Sequence, residues 1–174
     1  MTNPPSEGRS RVYLSGFMAA GKSTVGRHLA ELLGWSFVDL DRRIELAAGP
    51  IAEIFRTRGE EAFRQLERVE LIATLDRSEV VVATGGGTLV TPENRRLIGG
   101  RGLTVWIKPS FGLLAERLER KRGVRPLFRS REQALALYRS RMRSYRECDL
   151  IVPVGRRDAP QQVAARIAAA LRRP

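Results

Sequence analysis

The sequence has one cysteine, few aromatics, almost no lysine and no long apolar run, and each shortage narrows what the chain can be. A single thiol, Cys148, in 174 residues allows no internal disulfide and no cysteine-based metal site. A reducing compartment, the cytoplasm, is the expected home. No apolar stretch approaches the roughly 18 residues that a membrane span needs, so no membrane partner is expected. Met1–Arg11 carries Pro4, Pro5 and Ser6 but no apolar centre, which argues against a signal peptide. Residues 1–10 are expected to be a disordered lead-in, and residues 11–174 a single domain. That length, with 43% hydrophobic and 29% charged residues, suffices to bury a core.

Lysine occurs only at Lys22, Lys108 and Lys121, yet basic residues number 31 against 19 acidic, a net charge of +12. Such an arginine excess suits a nucleic-acid binder or an enzyme that handles small anions. A general preference for arginine over lysine would produce it without any function. The arginines are scattered along helical stretches, with no basic tail and no aromatic–basic alternation. No nucleic-acid partner is therefore expected, and the chain is expected to act as a monomer.

Short apolar runs alternate with helical periodicity. Strands are predicted at Val12–Ser15, Trp35–Leu40, Val80–Ala83, Leu103–Ile107 and Leu150–Val154. Between them the spacing predicts helices over Gly21–Leu33, Asp41–Ala48, Ile51–Arg58, Glu60–Leu75, from Pro92, over Phe111–Arg120 and Glu132–Cys148, then Gln161–Arg172. Alternation of this kind demands a parallel sheet with helices on both faces. Ligands in such sheets gather at the carboxyl ends of the strands, where Gly16, Asp39, Asp41 and Gly85 fall.

Gly16-Phe17-Met18-Ala19-Ala20-Gly21-Lys22-Ser23 matches the phosphate-loop pattern, with a strand before it and a helix after. Backbone N–H groups of such a loop wrap a phosphate. Gly16, Ala19, Ala20, Gly21, Lys22, Ser23 and Thr24 are the candidate nucleotide-binding residues. Lys22 would follow the transferring phosphoryl and Ser23 would meet Mg²⁺; Thr24 reads as a helix-face residue rather than a second metal ligand. The loop implies a nucleotide with Mg²⁺ and no more: GTPases, ATPases and metabolite kinases all share it, and the phosphoryl acceptor stays open.

Asp39 and Asp41 stand two residues apart, hence on one side of an extended chain. One could hold a metal-bound water and the other an acceptor hydroxyl, although Asp41 also reads as a helix N-cap. Gly85-Gly86-Gly87 is costly in chain entropy for a mere turn, and a ligand lying against the backbone would account for it. Arg64 and Arg141, each unremarkable alone, would together clamp a carboxylate. The arginine-rich run Arg120–Arg129, with Gly123 and Pro126, reads as part of a mobile lid over residues 120–131.

Taken in order, these features resemble the shikimate kinase family over nearly the whole chain. The likeness rests on the phosphate loop, Asp39 and Asp41, Gly49–Phe55 with Ile51 and Ile54, Gly59-Glu60 with Phe63-Arg64, the triple glycine and Arg125-Pro126-Leu127. The resemblance implies a three-layer P-loop kinase fold of the nucleoside-monophosphate-kinase type, with a five-stranded parallel sheet. It implies transfer of the γ-phosphoryl of ATP to the 3-hydroxyl of shikimate. Lys22, Asp41 and Arg125 would then be catalytic, and Ser23 and Asp39 would serve Mg²⁺. Asp41, Arg64, Gly86, Gly87 and Arg141 would bind shikimate. Arg120, with Arg117 as the alternative, would stack on adenine, and Arg125 would reach the phosphates from the lid. The rival readings are another small-metabolite kinase on this scaffold, such as gluconate kinase, and a nucleic-acid-binding regulator that keeps the loop.

Overall fold

The computed structural model describes residues 10–120 and 130–172. Residues 1–9, which hold most of the expected lead-in, and residues 121–129, which hold Arg125 and most of the expected lid, lie outside the described residues.

Five strands form one sheet in the order β2-β3-β1-β4-β5: β1 (Arg11–Ser15), β2 (Ser36–Asp39), β3 (Val80–Ala83), β4 (Leu103–Pro109) and β5 (Leu150–Val154). Every pairing is parallel, so all strands end at the same edge. Chain alternation sends Val12 and Leu14 of β1 into one apolar cluster and Tyr13 into another. All three are fully buried, as are Val80, Val81 and Val82 of β3. A strand covered on both faces is apolar at every position rather than at alternate ones.

The helices are α1 (Lys22–Leu33), α2 (Leu40–Ala48), α3 (Ile51–Ile72), α4 (Pro92–Ile98), α5 (Phe111–Glu119), α6 (Arg131–Tyr145) and α7 (Pro160–Leu171). Val25 and Leu29 of α1, Leu114 and Leu118 of α5, and Val163 and Ile167 of α7 cover one side of the sheet. Leu71 of α3 and Ile98 of α4 join Tyr13, Val80 and Val82 on the other. A third, smaller cluster of Ile44, Ile54 and Phe63 forms where α2 meets α3.

Two places along the chain matter to the cleft, one as expected and one not. The break expected between the helices Ile51–Arg58 and Glu60–Leu75 is present: α3 is two helical stretches that meet at a kink, where Gly59 is non-helical (φ 80, ψ 175). Helix α2 begins at Leu40, with Asp39 as its N-cap, so the strand ends before it can carry two aligned carboxylates. A short 3-10 turn, Thr88–Val90, also follows the triple glycine.

Cys148, just past α6, is buried, and burial pushes its thiol up to about 11. The nucleophile is the thiolate, so the native thiol should react slowly with a thiol reagent at about pH 8. Full reactivity should appear only in denaturant. Rapid labelling of the folded protein would show that the lower end of β4–β5 opens readily.

Candidate active site

The phosphate loop leaves β1 through Gly16, whose backbone adopts φ 142 and passes close to β4. A side chain there would place its Cβ 2.6 Å from the Ile107 carbonyl oxygen, so only glycine fits. Phe17 and Ala20 close a turn (3.1 Å), and Gly21 caps α1 in the left-handed region, φ 99. Ala19 is also left-handed, φ 61, a conformation that costs a residue with a Cβ roughly 1–2 kcal/mol. Lys22 folds back over the loop, and Nζ donates to the carbonyls of Gly16 (2.9 Å) and Phe17 (3.1 Å). Ser23 lies half-buried in the first turn of α1, whereas Thr24 points to solvent.

The structure separates the two arginines proposed for adenine. Arg117, on α5, donates from Nη1 to the carbonyls of Ala19 (3.2 Å) and Ala20 (3.3 Å). Arg120 caps the exposed end of α5, and no bond from its side chain reaches the loop. Helical phase fits the difference: at about 100° per residue, Arg117 lies about 60° and 100° around the axis from the buried Leu114 and Leu118, and Arg120, at the C-cap, about 120° and 160°.

Asp39 and Asp41 also part company. Asp39 Oδ1 accepts from the Arg42 backbone N–H at 3.3 Å, the capping role that the sequence offers to Asp41. Asp41 sits in the first turn of α2 and lines a cavity of about 420 Å³. The two carboxylates are therefore not neighbours on an extended chain.

Arg64 from α3, Arg141 from α6 and Gly85-Gly86-Gly87 from the end of β3 line the same cavity, with Phe55 and Phe63 among its apolar walls. The two arginines, far apart in sequence, are thus brought together. Their approach also explains the three glycines. A Cβ at Gly87 would lie 2.5 Å from Nη1 of Arg64, one at Gly86 3.2 Å from Nη1 of Arg141, and one at Gly85 3.0 Å from Oδ1 of Asp41 and closer still to Glu67. The side chains of this chain itself, rather than a ligand alone, fill the space that side chains at 85–87 would need.

Glu67 is the residue that the sequence reading missed. One turn after Arg64 on α3, it is fully buried. It accepts from Arg64 Nη1 at 2.8 Å and from the Thr88 hydroxyl at 2.6 Å. Arg64 also reaches Glu60, with Nη2 donating to Oε1 at 3.0 Å. A carboxylate in the interior is tolerable only when paired and hydrogen-bonded, and both conditions are met. The signal available in the sequence was its helical register with Phe63 and Leu71, one turn either side on the buried face.

Among the described residues no group of three or more His, Cys, Asp or Glu side chains is placed to hold a metal ion. Mg²⁺ bound beside phosphates takes only one or two protein oxygens and keeps several waters. The donor chemistry of Ser23 and Asp39 therefore fits it, with the cap occupying only Oδ1 of Asp39.

The shikimate kinase family model matches residues 18–172. A shikimate kinase of Prochlorococcus marinus (strain MIT 9313) is 42% identical over 92% of this chain and 84% of its own length. Among solved structures, a shikimate kinase from Acinetobacter baumannii in complex with shikimate superposes with a TM-score of 0.87 at 36% identity, covering 95% of this chain and 94% of that one. A gluconokinase from Sinorhizobium meliloti has a TM-score of 0.66 at 20% identity, covering 95% of this chain and 91% of its own. At that identity the likeness is one of fold.

Burial raises the Glu67 carboxyl above its ordinary value, while Arg64 and Thr88 pull it back and Asp41 adds a push upward. A carboxyl raised by folding holds its proton more tightly in the native state than in the unfolded chain. Its stabilising contribution is full below the ordinary glutamate range and is lost as pH climbs through the raised value. Urea melts across that window should show wild-type stability falling relative to Glu67→Gln. Parallel pH profiles would mean that Glu67 ionises as easily folded as unfolded.

Proposed function

The chain belongs to the shikimate kinase family, and from that membership we propose how its residues divide the reaction. It is an ATP-dependent kinase that phosphorylates the 3-hydroxyl of shikimate, giving shikimate 3-phosphate and ADP. The observation that carries the assignment to this cavity is the convergence of Arg64 and Arg141 on Gly86-Gly87, with Asp41 beside Gly85 in the same lining.

Shikimate carries a carboxylate remote from the hydroxyl that reacts. Two guanidinium groups suit that carboxylate, because each presents a planar fork of donors. Asp41 is assigned to the hydroxyls next to the acceptor position, where a carboxylate can accept the hydrogen bond of the attacking group. Gly86 and Gly87 let the ring lie against backbone. Phe55 and Phe63 give an apolar wall that suits a carbocycle better than the open polyol chain of gluconate.

On the nucleotide side, the backbone N–H groups from Gly16 to Ser23 cradle the phosphates. Lys22, which is held by its own loop's carbonyls, is assigned to the charge that moves to the leaving oxygen. Mg²⁺ when bound would neutralise phosphate charge, with Ser23 and a water on Asp39 as its protein contacts. Arg117, already lying across Ala19 and Ala20, takes the adenine-side role in preference to Arg120. Arg125, which lies outside the described residues, is assigned to the phosphates. A monomer in the cytoplasm, independent of nucleic acid and membrane, completes the reading. No helix among the described residues is long and apolar enough to cross a membrane.

Lys22→Ala should fold and bind nucleotide but lose about 100-fold or more in turnover, read in a coupled assay of ADP release. Near-normal turnover would overturn its assignment.

The clamp is best tested at Arg141, since Arg64→Ala would strand the buried Glu67 carboxylate. A charged hydrogen bond contributes roughly 1.5–3 kcal/mol, so Arg141→Ala should raise the shikimate KM about 10- to 150-fold and leave the ATP KM nearly unchanged. Shikimate methyl ester should lose a similar factor against wild type but little more against the variant. Additive losses would place the carboxylate elsewhere.

A further inference from the structure

Tyr145 is the last residue of α6 and has no part in the scheme above. It is fully buried, its ring 5.5 Å from that of Trp106. Its hydroxyl nonetheless reaches the acceptor cavity's edge, donating to the Gly86 carbonyl at 2.6 Å. Tyr145 follows Arg141 by four residues, so the two side chains share one face of α6. Arg141 stands over that same glycine, where a Cβ would meet Nη1 at 3.2 Å. Burial pushes the Tyr145 hydroxyl up to about 12, with the Arg141 charge opposing, so it remains a protonated donor near neutral pH.

A second tie joins the same two pieces of chain. Arg95 on α4 donates from Nη1 to the carbonyls of Leu89 (2.7 Å) and Val90 (2.8 Å), just past the glycines. Its Nε pairs with Glu147 at 2.8 Å, two residues beyond Tyr145. The end of α6 is thus fastened to the glycine segment on both sides of Gly87.

We propose that Tyr145 is the positioning residue of the acceptor clamp: by anchoring the Gly86 carbonyl to α6, it sets the distance between Arg141 and the Gly86-Gly87 backbone. In a trans peptide the carbonyl and the following N–H point to opposite sides, and no peptide in the described chain is cis. Holding the Gly86 oxygen therefore turns the Gly87 N–H away from Tyr145. A glycine pair without such an anchor samples many orientations, and ordering it on binding would weaken affinity. Tyr145 acts on the acceptor through Arg141 and Gly86, without touching it. This inference rests on the shikimate reading of the cavity.

Tyr145→Phe keeps the ring against Trp106 and removes one hydroxyl. The loss of a neutral hydrogen bond should raise the shikimate KM by about 3- to 10-fold. The ATP KM and kcat should stay within about twofold of wild type, the pattern of a lost binding contribution. In an Arg141→Ala background the same change should have no further effect on shikimate. Three results would each overturn the proposal: an unchanged shikimate KM, a parallel loss in kcat and both KM values, or full additivity with Arg141→Ala. If Arg141→Ala itself leaves shikimate binding intact, the cavity reading fails instead, so the two failures are distinguishable. Should Tyr145→Phe not fold, Glu147→Gln at the half-exposed end of the second tie is judged by the same KM pattern. A unit fastened at both points predicts the same shikimate-selective rise, and its absence overturns the fastening.

Discussion

The cleft depends on the place where β1 ends. Gly16 must pass the Ile107 carbonyl without a side chain, because β1 is the middle strand and β4 lies hydrogen-bonded alongside it. From that pinch the loop turns at Phe17–Ala20 and launches α1 at Lys22. The left-handed Ala19 shows that the loop is held in shape against a local cost. Two cations brace it, Lys22 from within and Arg117 from α5. Such a loop presents its N–H groups already oriented, so little reorganisation is left for binding.

The acceptor half is built on the opposite economy. Its rigidity comes from the buried Glu67, whose charge is acceptable only because Arg64 and Thr88 meet it. That requirement fixes the Arg64 guanidinium against Gly87 and the Thr88 hydroxyl beneath Gly85. One ionic contact therefore orders α3, the end of β3 and the 3-10 turn together. Gly59, breaking the helical geometry inside α3, lets the chain before it lean toward α2 and close the wall at Ile54 and Phe63.

Much of this was legible in the sequence. The five strands and the helices that follow them were readable because doubly covered strands are apolar throughout and the helices keep a 3.6-residue period. The phosphate loop and the triple glycine were readable as costly sequences that need a reason. The rest was hidden by physics that one dimension does not display. Register with Phe63 and Leu71 puts Glu67 on a buried face, but what makes a charge tolerable there shows only when Arg64 and Thr88 are seen around it. The capping carboxylate proved to be Asp39, since the choice turns on one residue of strand length. Whether Arg117 or Arg120 meets the loop depends on the phase of α5, which leucine spacing specifies only once the sheet is placed. Tyr145 looks like a core aromatic, and its ring is one; only its hydroxyl betrays a second task.

Helix α1 hides Val25, Leu29 and Ala30 in the same cluster as Val163, Ala164, Ile167 and Ala168 of α7. The helix that carries Lys22 is thus covered by a segment that follows it by more than a hundred residues. During translation, β1 and α1 leave the ribosome more than a hundred residues before their cover, and β4 and β5 also arrive late. Until then the side of α1 that meets α7 is open to water, and an isolated helix of 12 residues is marginal by itself. A nascent chain stalled before α7 would carry a complete phosphate-loop sequence without the packing that shapes it. The packing that shapes the phosphate loop therefore depends on a segment far along the chain, and the loop's own sequence does not supply it.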